Sequence, residues 1–220
     1  MNHLAPVPPE AFEDIIRELE RRPLPVNKYR LKAGEGRSSA YGIVNRRCLP
    51  PDMSRECWTR PELYNLLCKF ADNYCPISDW TSITVNQNYA ADPHRDKGNH
   101  GLSYLVAFGD YRGGELVIHE GDCSGSYNIQ HQPILFNGSE LLHSVRPFEG
   151  HRYSLVIYRA GRGEEATLVN IRRQYAAMKD PETHKMRLFK KDCNGDYYPA
   201  PRLSHPLKGR VKSGKKGDSE

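Results

Sequence analysis

The sequence has little of what membrane, secreted or zinc-binding proteins need. Only 38% of the 220 residues are hydrophobic, and no apolar run approaches the roughly 20 residues of a membrane span. The first residues lack the charged-then-apolar order of a signal peptide. The six cysteines form no C-x-x-C pair, which argues against a zinc knuckle, and they are sparse for a disulfide framework. We therefore expect an intracellular protein, nuclear or cytoplasmic, that is not secreted and has no membrane partner.

The net charge of +5 is unevenly distributed along the chain. Residues 172–220 contain 13 Lys/Arg and 6 Asp/Glu, whereas the other 171 residues contain 19 basic and 21 acidic side chains. A neutral body with a basic C-terminal segment suits a polyanionic partner such as nucleic acid. A solvated basic tail explains the same pattern, so charge alone leaves both interpretations open.

Hydrophobic periodicity divides the chain into a helical part and a β part. Residues 9–22 and 61–74 carry apolar side chains at helical spacing, and each segment has a proline at its start. From Thr81 onward the pattern changes to short β-branched and aromatic segments separated by turn residues, which predicts a sandwich or barrel. Further on, "EEATLVNIRRQYAAM" suggests a helix, and "CNGDYYPAPRLSHP" suggests a turn followed by coil.

One histidine and one aspartate in "PHRDKGN" have the spacing of a metal site. If the preceding strand continues through Pro93, the side chains of His94 and Asp96 point to the same face. A third ligand must come from another strand, and His143 is the best candidate, because no R-x-S follows its rival His119 at the right distance. Two histidines and one carboxylate that leave coordination positions open are typical of non-haem Fe(II) oxygenases.

A second pair of residues follows His143 on the last predicted strand of the β part. Arg152 and Ser154 share one face of that strand, whereas His151 faces away. A planar guanidinium pairs with a carboxylate through two parallel hydrogen bonds. H-x-D, a distant histidine and R-x-S, in this order, predict an iron site beside an anchor for a dicarboxylic acid.

These motifs resemble those of a known superfamily. Residues 81–159 are similar to the double-stranded β-helix (jelly-roll) core of the Fe(II)/2-oxoglutarate-dependent dioxygenases. "PHRDKGN", "GGELVI" and "LLHSVRPFEGHRYSLVIYR" are most similar to the ten-eleven-translocation and base-J-binding-protein (TET/JBP-like) class, which oxidises methyl groups on pyrimidine bases. The resemblance covers little over a third of the chain. It implies a mainly β fold with a jelly-roll core. The helical pattern before Thr81, which the resemblance does not cover, adds flanking N-terminal helices, so the expected class is α+β, mainly β.

The resemblance also implies the metal and co-substrate ligands. His94, Asp96 and His143 would hold the catalytic Fe(II), and Arg152, with Ser154 beside it, would bind the C5 carboxylate of 2-oxoglutarate. The cofactor is then Fe(II), and 2-oxoglutarate and O2 are co-substrates, with ascorbate as a candidate reductant.

Five further residues are candidates for co-substrate or substrate binding. Asn86 and Tyr89 are similar to residues that contact 2-oxoglutarate in AlkB-like enzymes, although here they lie closer in sequence to the metal histidine. Asn99 stands where the base-oxidising class contacts a flipped base, and it equally suits a turn cap. Arg95 and Lys97 are candidates for holding phosphate, or else they are solvated loop charges.

The expected activity is oxidation of the methyl group of 5-methylcytosine or thymine in nucleic acid, with DNA favoured over RNA. A protein side-chain (prolyl-type) or small-molecule hydroxylase on the same fold is the alternative. A binding module with an inactive iron site is a third, but it would not need to keep three ligands and the arginine.

The domain organisation follows from the same patterns. We expect one dioxygenase domain over residues 1–200, with a helical N-terminal part over about 1–78 and the β-helix core over about 79–160. A C-terminal extension follows over about 161–205, and residues 206–220 are expected to be a basic, disordered tail.

Overall fold

β-Strands make up most of the fold. A computed structural model describes residues 2–26, 36–46, 49–161 and 165–201. The helices are a 3-10 turn at Pro9–Phe12, α1 Glu13–Arg21, α2 Glu56–Thr59, α3 Pro61–Tyr74 and α4 Glu165–Arg173. The strands are β1 Asn2–His3, β2 Arg37–Arg46, β3 Leu49–Met53, β4 Ser82–Gln87, β5 Asn99–Gly113, β6 Leu116–Ile118, β7 Gly125–Tyr127, β8 Ile134–Phe136, β9 His143–Val145, β10 Phe148–Ala160, β11 Tyr175–Lys179, β12 Met186–Lys191 and β13 Tyr197–Pro199.

Two antiparallel sheets form the jelly roll. The larger has the strand order β1-β8-β5-β10-β4-β2-β3, and the smaller has the order β7-β6-β9. An apolar cluster occupies part of the space between them, with Leu105 and Ala107 from β5, Leu116 and Ile118 from β6, and Phe136 from β8. The predicted mainly β fold with a jelly-roll core is therefore confirmed.

The two central strands of the large sheet are buried on both faces. Tyr104, Val106 and Phe108 of β5 face outward and belong to the cluster that packs beneath the helices. Phe12 joins the helical layer to this face, because its ring stacks on Phe108 at a centroid distance of 4.4 Å. The other face of the same sheet points into the space between the two sheets. Alternate side chains of β10 lie on that face.

The N-terminal part differs from the expected helical region. The predicted helices are present, and α3 spans the predicted residues 61–74. However, β2 pairs with β4 in the large sheet, and β3 forms the edge beyond it. The segment "RSSAYGIVNR" mixes polar and apolar residues without clear alternation, and β3 contains Pro50 and Pro51, which strands tolerate mainly at an edge.

The C-terminal extension also contains more strand than predicted. The helix α4 ends at Arg173, and the chain then forms the three-stranded sheet β11-β12-β13. Leu188 of this sheet belongs to the same cluster as the α3 side chains. The expected Asn-Gly turn is present between β12 and β13, with Gly195 at a φ of 97°, but strand replaces the predicted coil after it. The predicted tail at 206–220 lies outside the described residues.

Two expectations from composition concern membranes and cysteines. Among the described residues, no helix is both long and apolar enough to cross a membrane. The cysteines that the structure describes are all free thiols, in agreement with the absence of a disulfide framework in the sequence pattern: Cys57, Cys68, Cys75, Cys123 and Cys193.

Candidate metal and co-substrate site

A cavity of about 840 Å³ opens on the inner face of the large sheet, between the two sheets. Every residue singled out from the sequence for metal, co-substrate or substrate binding lines it. Arg152, Ser154 and Val156 of β10 and Asn86 of β4 form part of its wall, because alternate residues of a strand share a face. Its volume lies within the range of about 300–1,000 Å³ that is usual for ligand pockets.

Three potential metal ligands converge at this cavity. One ligand atom each from His94, Asp96 and His143 lies within 4.8 Å of the other two. The Nε2 atom of His94 is 3.5 Å from Oδ1 of Asp96, and the Nε2 atom of His143 is 3.7 Å from Oδ2 of Asp96. Two imidazoles and one carboxylate at these separations suit a single divalent ion with open coordination positions.

The loop that carries His94 and Asp96 is not the continuous strand that the sequence suggested. Asn88, at a φ of 50°, lies just after the end of β4, and the chain leaves the sheet there. His94 instead forms an isolated antiparallel bridge with His143, with N–H···O distances of 2.9 and 3.0 Å. The Asp96 N–H donates to the carbonyl of Gly138 at 2.8 Å. The ligands therefore meet through loop-to-strand pairing, not through alternation along one strand.

Backbone carbonyls orient both imidazole rings. Nδ1 of His94 lies 2.7 Å from the carbonyl oxygen of Asp92, and Nδ1 of His143 lies 2.9 Å from that of Leu141. A neutral ring that donates through Nδ1 keeps the lone pair of Nε2 for a metal. Burial lowers the pKa of His143, which favours this neutral form.

Arg152 is a buried cation with unused hydrogen-bond donors. Its relative exposure is 2%, and its Nε and Nη2 atoms have no hydrogen-bond partner among the described residues. Burial lowers the pKa of Arg152, because the charged form loses its contact with water. A buried charge of this kind is stabilised by an opposite charge nearby. An anion that enters the cavity can supply it, and a carboxylate matches the geometry of the guanidinium edge.

Aromatic rings and a glycine shape the space around Arg152. The guanidinium carbon lies 5.4 Å from the ring centre of Tyr111 and 5.6 Å from that of Phe148. Gly114 lies in the turn between β5 and β6 and has a φ of 70°, a conformation that glycine adopts readily. A Cβ atom at Gly114 would lie 2.9 Å from the Arg152 side chain. Glycine is therefore required here both by the backbone and by the arginine.

The other predicted co-substrate residues lie beside Arg152. The Nδ2 atom of Asn86 donates to Oγ of Ser154 at 3.2 Å, across the β4–β10 pairing. Ser154 is 3% exposed, and its hydroxyl can still donate a hydrogen bond. Tyr89 lines the same cavity. Several polar side chains thus accompany Arg152 in the cavity that the metal-ligand cluster also lines.

Asn99 is engaged with a metal ligand. Its Nδ2 atom lies 3.4 Å from Oδ2 of Asp96 and 3.3 Å from Oγ of Ser103. The predicted contact with a base stays a prediction, and in this arrangement the atom left to make it is Oδ1.

The two predicted phosphate ligands differ in availability. The guanidinium of Arg95 donates two hydrogen bonds to the carboxylate of Glu120, at 2.6 and 2.7 Å, and Nε donates to the carbonyl of Glu140 at 2.8 Å. Nε and Nη2 of Arg95 are thus engaged with protein acceptors, and its predicted contact with phosphate stays a prediction. Lys97 is exposed at the rim of the cavity.

Sequence reasoning missed the part of the cavity wall beyond Val156. Tyr158 follows Arg152, Ser154 and Val156 on the same face of β10, and its hydroxyl lies 3.4 Å from Oγ1 of Thr84. The alternation that identified Arg152 and Ser154 also predicts Tyr158. The rival histidine, His119, lies outside the ligand cluster and bonds to Oγ of Ser144 at 2.8 Å.

Comparison with solved structures identifies the fold. The structure of NgTET1 in complex with 5mC DNA superposes with a TM-score of 0.51 and 16% sequence identity, covering 70% of this chain and 69% of that one. The likeness at 16% identity is one of fold: the chain shares its fold with that structure. The resemblance stated from the motifs is confirmed at this level.

Other solved structures overlap with lower scores. An oxidoreductase of the 2OG-Fe(II) oxygenase family from Burkholderia pseudomallei is 20% identical, with a TM-score of 0.46 over 65% of this chain and 74% of that one. A prolyl-4-hydroxylase from Pseudomonas putida is 16% identical, with a TM-score of 0.42 over 74% of this chain and 92% of that one. No family model matches the chain, and no curated protein matches it.

Proposed function

We propose that this chain is an Fe(II)/2-oxoglutarate-dependent oxygenase that oxidises the methyl group of a modified pyrimidine base in nucleic acid. The observation that carries the chemistry is that one cavity holds both a three-residue ligand cluster and a buried cation, Arg152, whose Nε and Nη2 find no hydrogen-bond partner in the described part of the chain. The ligand cluster would hold iron, and the buried cation would pair with the distal carboxylate of 2-oxoglutarate. The reaction would convert 2-oxoglutarate, O2 and a methyl group into succinate, CO2 and a hydroxymethyl group.

The residues present fit both groups. His94 and His143 offer Nε2 lone pairs and Asp96 offers a carboxylate, so the cluster would hold Fe(II) and leave the cavity side open. Bound Fe(II) supplies the oxygen activation for which side chains have no equivalent. The chain's own task is to hold the co-substrate through Arg152 and Ser154, to place the target carbon near the ligand cluster and to keep water away.

The wall beyond the co-substrate residues suits a planar, polar substrate. Tyr158 offers an aromatic face, and Oδ1 of Asn99 offers an acceptor. A base must leave the duplex stack to reach a cavity of this kind, where aromatic stacking offsets part of the cost. The exposed Lys97 at the rim and the basic C-terminal segment support a polyanionic partner. The structure of NgTET1 was solved with 5mC DNA, which supports the same substrate class.

A parallel substrate panel tests this proposal. The protein would be incubated with Fe(II), 2-oxoglutarate and oligonucleotides that carry 5-methylcytosine or thymine, in DNA and RNA and in single and double strands. Peptide pools that contain proline would serve as the competing arm. We expect a mass increase of one oxygen on the methylated base, detected by mass spectrometry of the digested nucleosides. Oxidation of peptides alone would instead assign the alternative, a protein side-chain hydroxylase.

Replacement of Tyr158 tests the placement of the base. Tyr158→Ala should reduce base oxidation by roughly 10- to 100-fold in kcat/KM, since stacking on an aromatic side chain contributes about 1–3 kcal/mol per base. The conversion of 2-oxoglutarate to succinate without substrate should change little, because Tyr158 is neither a member of the metal-ligand cluster nor the proposed anchor of 2-oxoglutarate. Tyr158→Phe keeps the ring and should retain most of the activity. Equal losses in both variants would assign the effect to the hydroxyl and its contact with Thr84, and would exclude stacking.

A further inference from the structure

One glutamate joins the two segments that supply the metal ligands. The carboxylate of Glu120 accepts two hydrogen bonds from Nη2 of Arg95, and Arg95 lies between His94 and Asp96 in the loop. The same carboxylate also accepts the N–H of Leu142, at 2.6 Å to Oε1. Leu142 directly precedes His143, so a single carboxylate contacts both sides of the cluster.

Further bonds hold together the loop, the segment before His143 and the residue before Glu120. Nε of Arg95 donates to the carbonyl of Glu140 at 2.8 Å, and the His119 N–H donates to the carbonyl of Leu142 at 2.9 Å. The loop with His94 and Asp96 is also attached through its bridge to His143, the Asp96–Gly138 bond, and bonds to the carbonyls of Ala91 and Gly98 near its two ends. The ion pair closes this arrangement on the solvent side of the loop, where Arg95 and Glu120 are exposed by 40% and 38%.

We propose that Arg95 and Glu120 form a positioning clamp that sets the separation of His94 and Asp96 from His143, and thereby the affinity of the site for metal. The inference rests on the proposed function, since it assumes that the cluster binds a divalent ion. In this proposal Arg95 positions the metal ligands and does not bind phosphate. Neither residue touches the ion. Both act through the backbone that carries the ligands.

Because Arg95 and Glu120 are partly exposed, we expect the clamp to affect the ligand positions and not the stability of the whole fold. Surface ion pairs contribute little to global stability, and both hydrogen bonds of this pair come from one nitrogen, Nη2 of Arg95. Removing the pair should therefore leave the fold intact and increase the spread of distances within the cluster. Groups outside the first ligand sphere commonly alter metal affinity by roughly 10- to 100-fold, because a metal demands closely defined ligand positions.

Equilibrium titration with Co(II) tests the clamp without turnover. The visible absorption of bound Co(II) reports the number and geometry of its ligands, so metal binding is measured separately from activity. The variants are Arg95→Ala, Glu120→Ala and the double replacement, with Arg21→Ala as the matched control. Arg21 makes a bidentate pair with Glu18 at 2.9 and 3.0 Å on α1, away from the cavity. His143→Ala defines the loss of a ligand, and thermal unfolding measures the stability of each variant.

We expect Arg95→Ala to weaken Co(II) binding about tenfold and Glu120→Ala to weaken it at least as much, because that change also frees the Leu142 N–H. The double variant should resemble Glu120→Ala, since the two residues act as one unit. Arg21→Ala should bind Co(II) normally. Unchanged affinity in both clamp variants, or losses that simply add, would overturn the clamp. Failure of the unmodified protein to bind Co(II) at a site that His143→Ala removes would instead overturn the proposed function.

Discussion

Replacing Asp96 with alanine should abolish succinate production and lower metal affinity by more than about a hundredfold. Asp96 supplies the carboxylate of the cluster, and without it two imidazoles remain that cannot hold an ion in a defined geometry. The side chain is 28% exposed and lies outside the apolar clusters, so the folded state should survive. Succinate would be quantified with Fe(II) and 2-oxoglutarate in excess, and metal binding would be measured by titration.

An aspartate elsewhere in the fold supplies the control for this prediction. Asp110 is exposed on β5 and does not line the cavity, so Asp110→Ala should retain normal succinate production. Thermal unfolding of both variants separates loss of the site from loss of the fold. Near-normal turnover by folded Asp96→Ala would remove Asp96 from the metal site and contradict the three-ligand arrangement.

Replacing Arg152 with alanine should raise the concentration of 2-oxoglutarate needed for half-maximal turnover by roughly 10- to 100-fold. The two free donors of its guanidinium are the best anchor for the distal carboxylate in the cavity, and hydrogen bonds to charged groups contribute about 1.5–3 kcal/mol. Metal affinity should stay normal, because Arg152 is not part of the ligand cluster. Initial rates measured across a range of 2-oxoglutarate concentrations provide the test.

Two companion variants sharpen the Arg152 prediction. Arg152→Lys keeps a positive charge and loses the paired donors, so its 2-oxoglutarate requirement should fall between those of the alanine variant and the unmodified protein. His151→Ala changes the exposed neighbour on β10 and should have no effect. An unchanged requirement in Arg152→Ala would show that the carboxylate is held elsewhere, and Lys97 would be the next residue to replace.

Local patterns account for the parts of the fold that the sequence predicted well. The helix α3 has proline at its first turn and an apolar stripe, both of which are properties of the segment itself. Arg152 and Ser154 were placed on one face of a strand from their spacing alone, and β10 confirms it. In contrast, β2 is a strand because β4 offers its free edge. That partner lies far away in the sequence, so the segment itself carries a weak signal.

The geometry of the site depended on contacts that sequence spacing does not encode. His94 and Asp96 were expected to align on a strand, yet they converge because a loop pairs with β9 through the bridge to His143. The ion pair between Arg95 and Glu120 joins residues 25 positions apart, and nothing in either local segment predicts it. The residues of the cluster were thus brought together on paper by type and order, whereas the contacts that support them required the tertiary structure.

Equilibrium binding of 2-oxoglutarate to the Fe(II)-loaded protein, measured by calorimetry without oxygen, tests the central claim most directly. It needs no knowledge of the oxidised substrate. We expect one molecule of 2-oxoglutarate per chain, with affinity that depends on Fe(II), falls in Arg152→Ala and is lost in His143→Ala. Absence of binding, or binding with the same affinity when Fe(II) is removed, would contradict a shared metal and co-substrate site in this cavity.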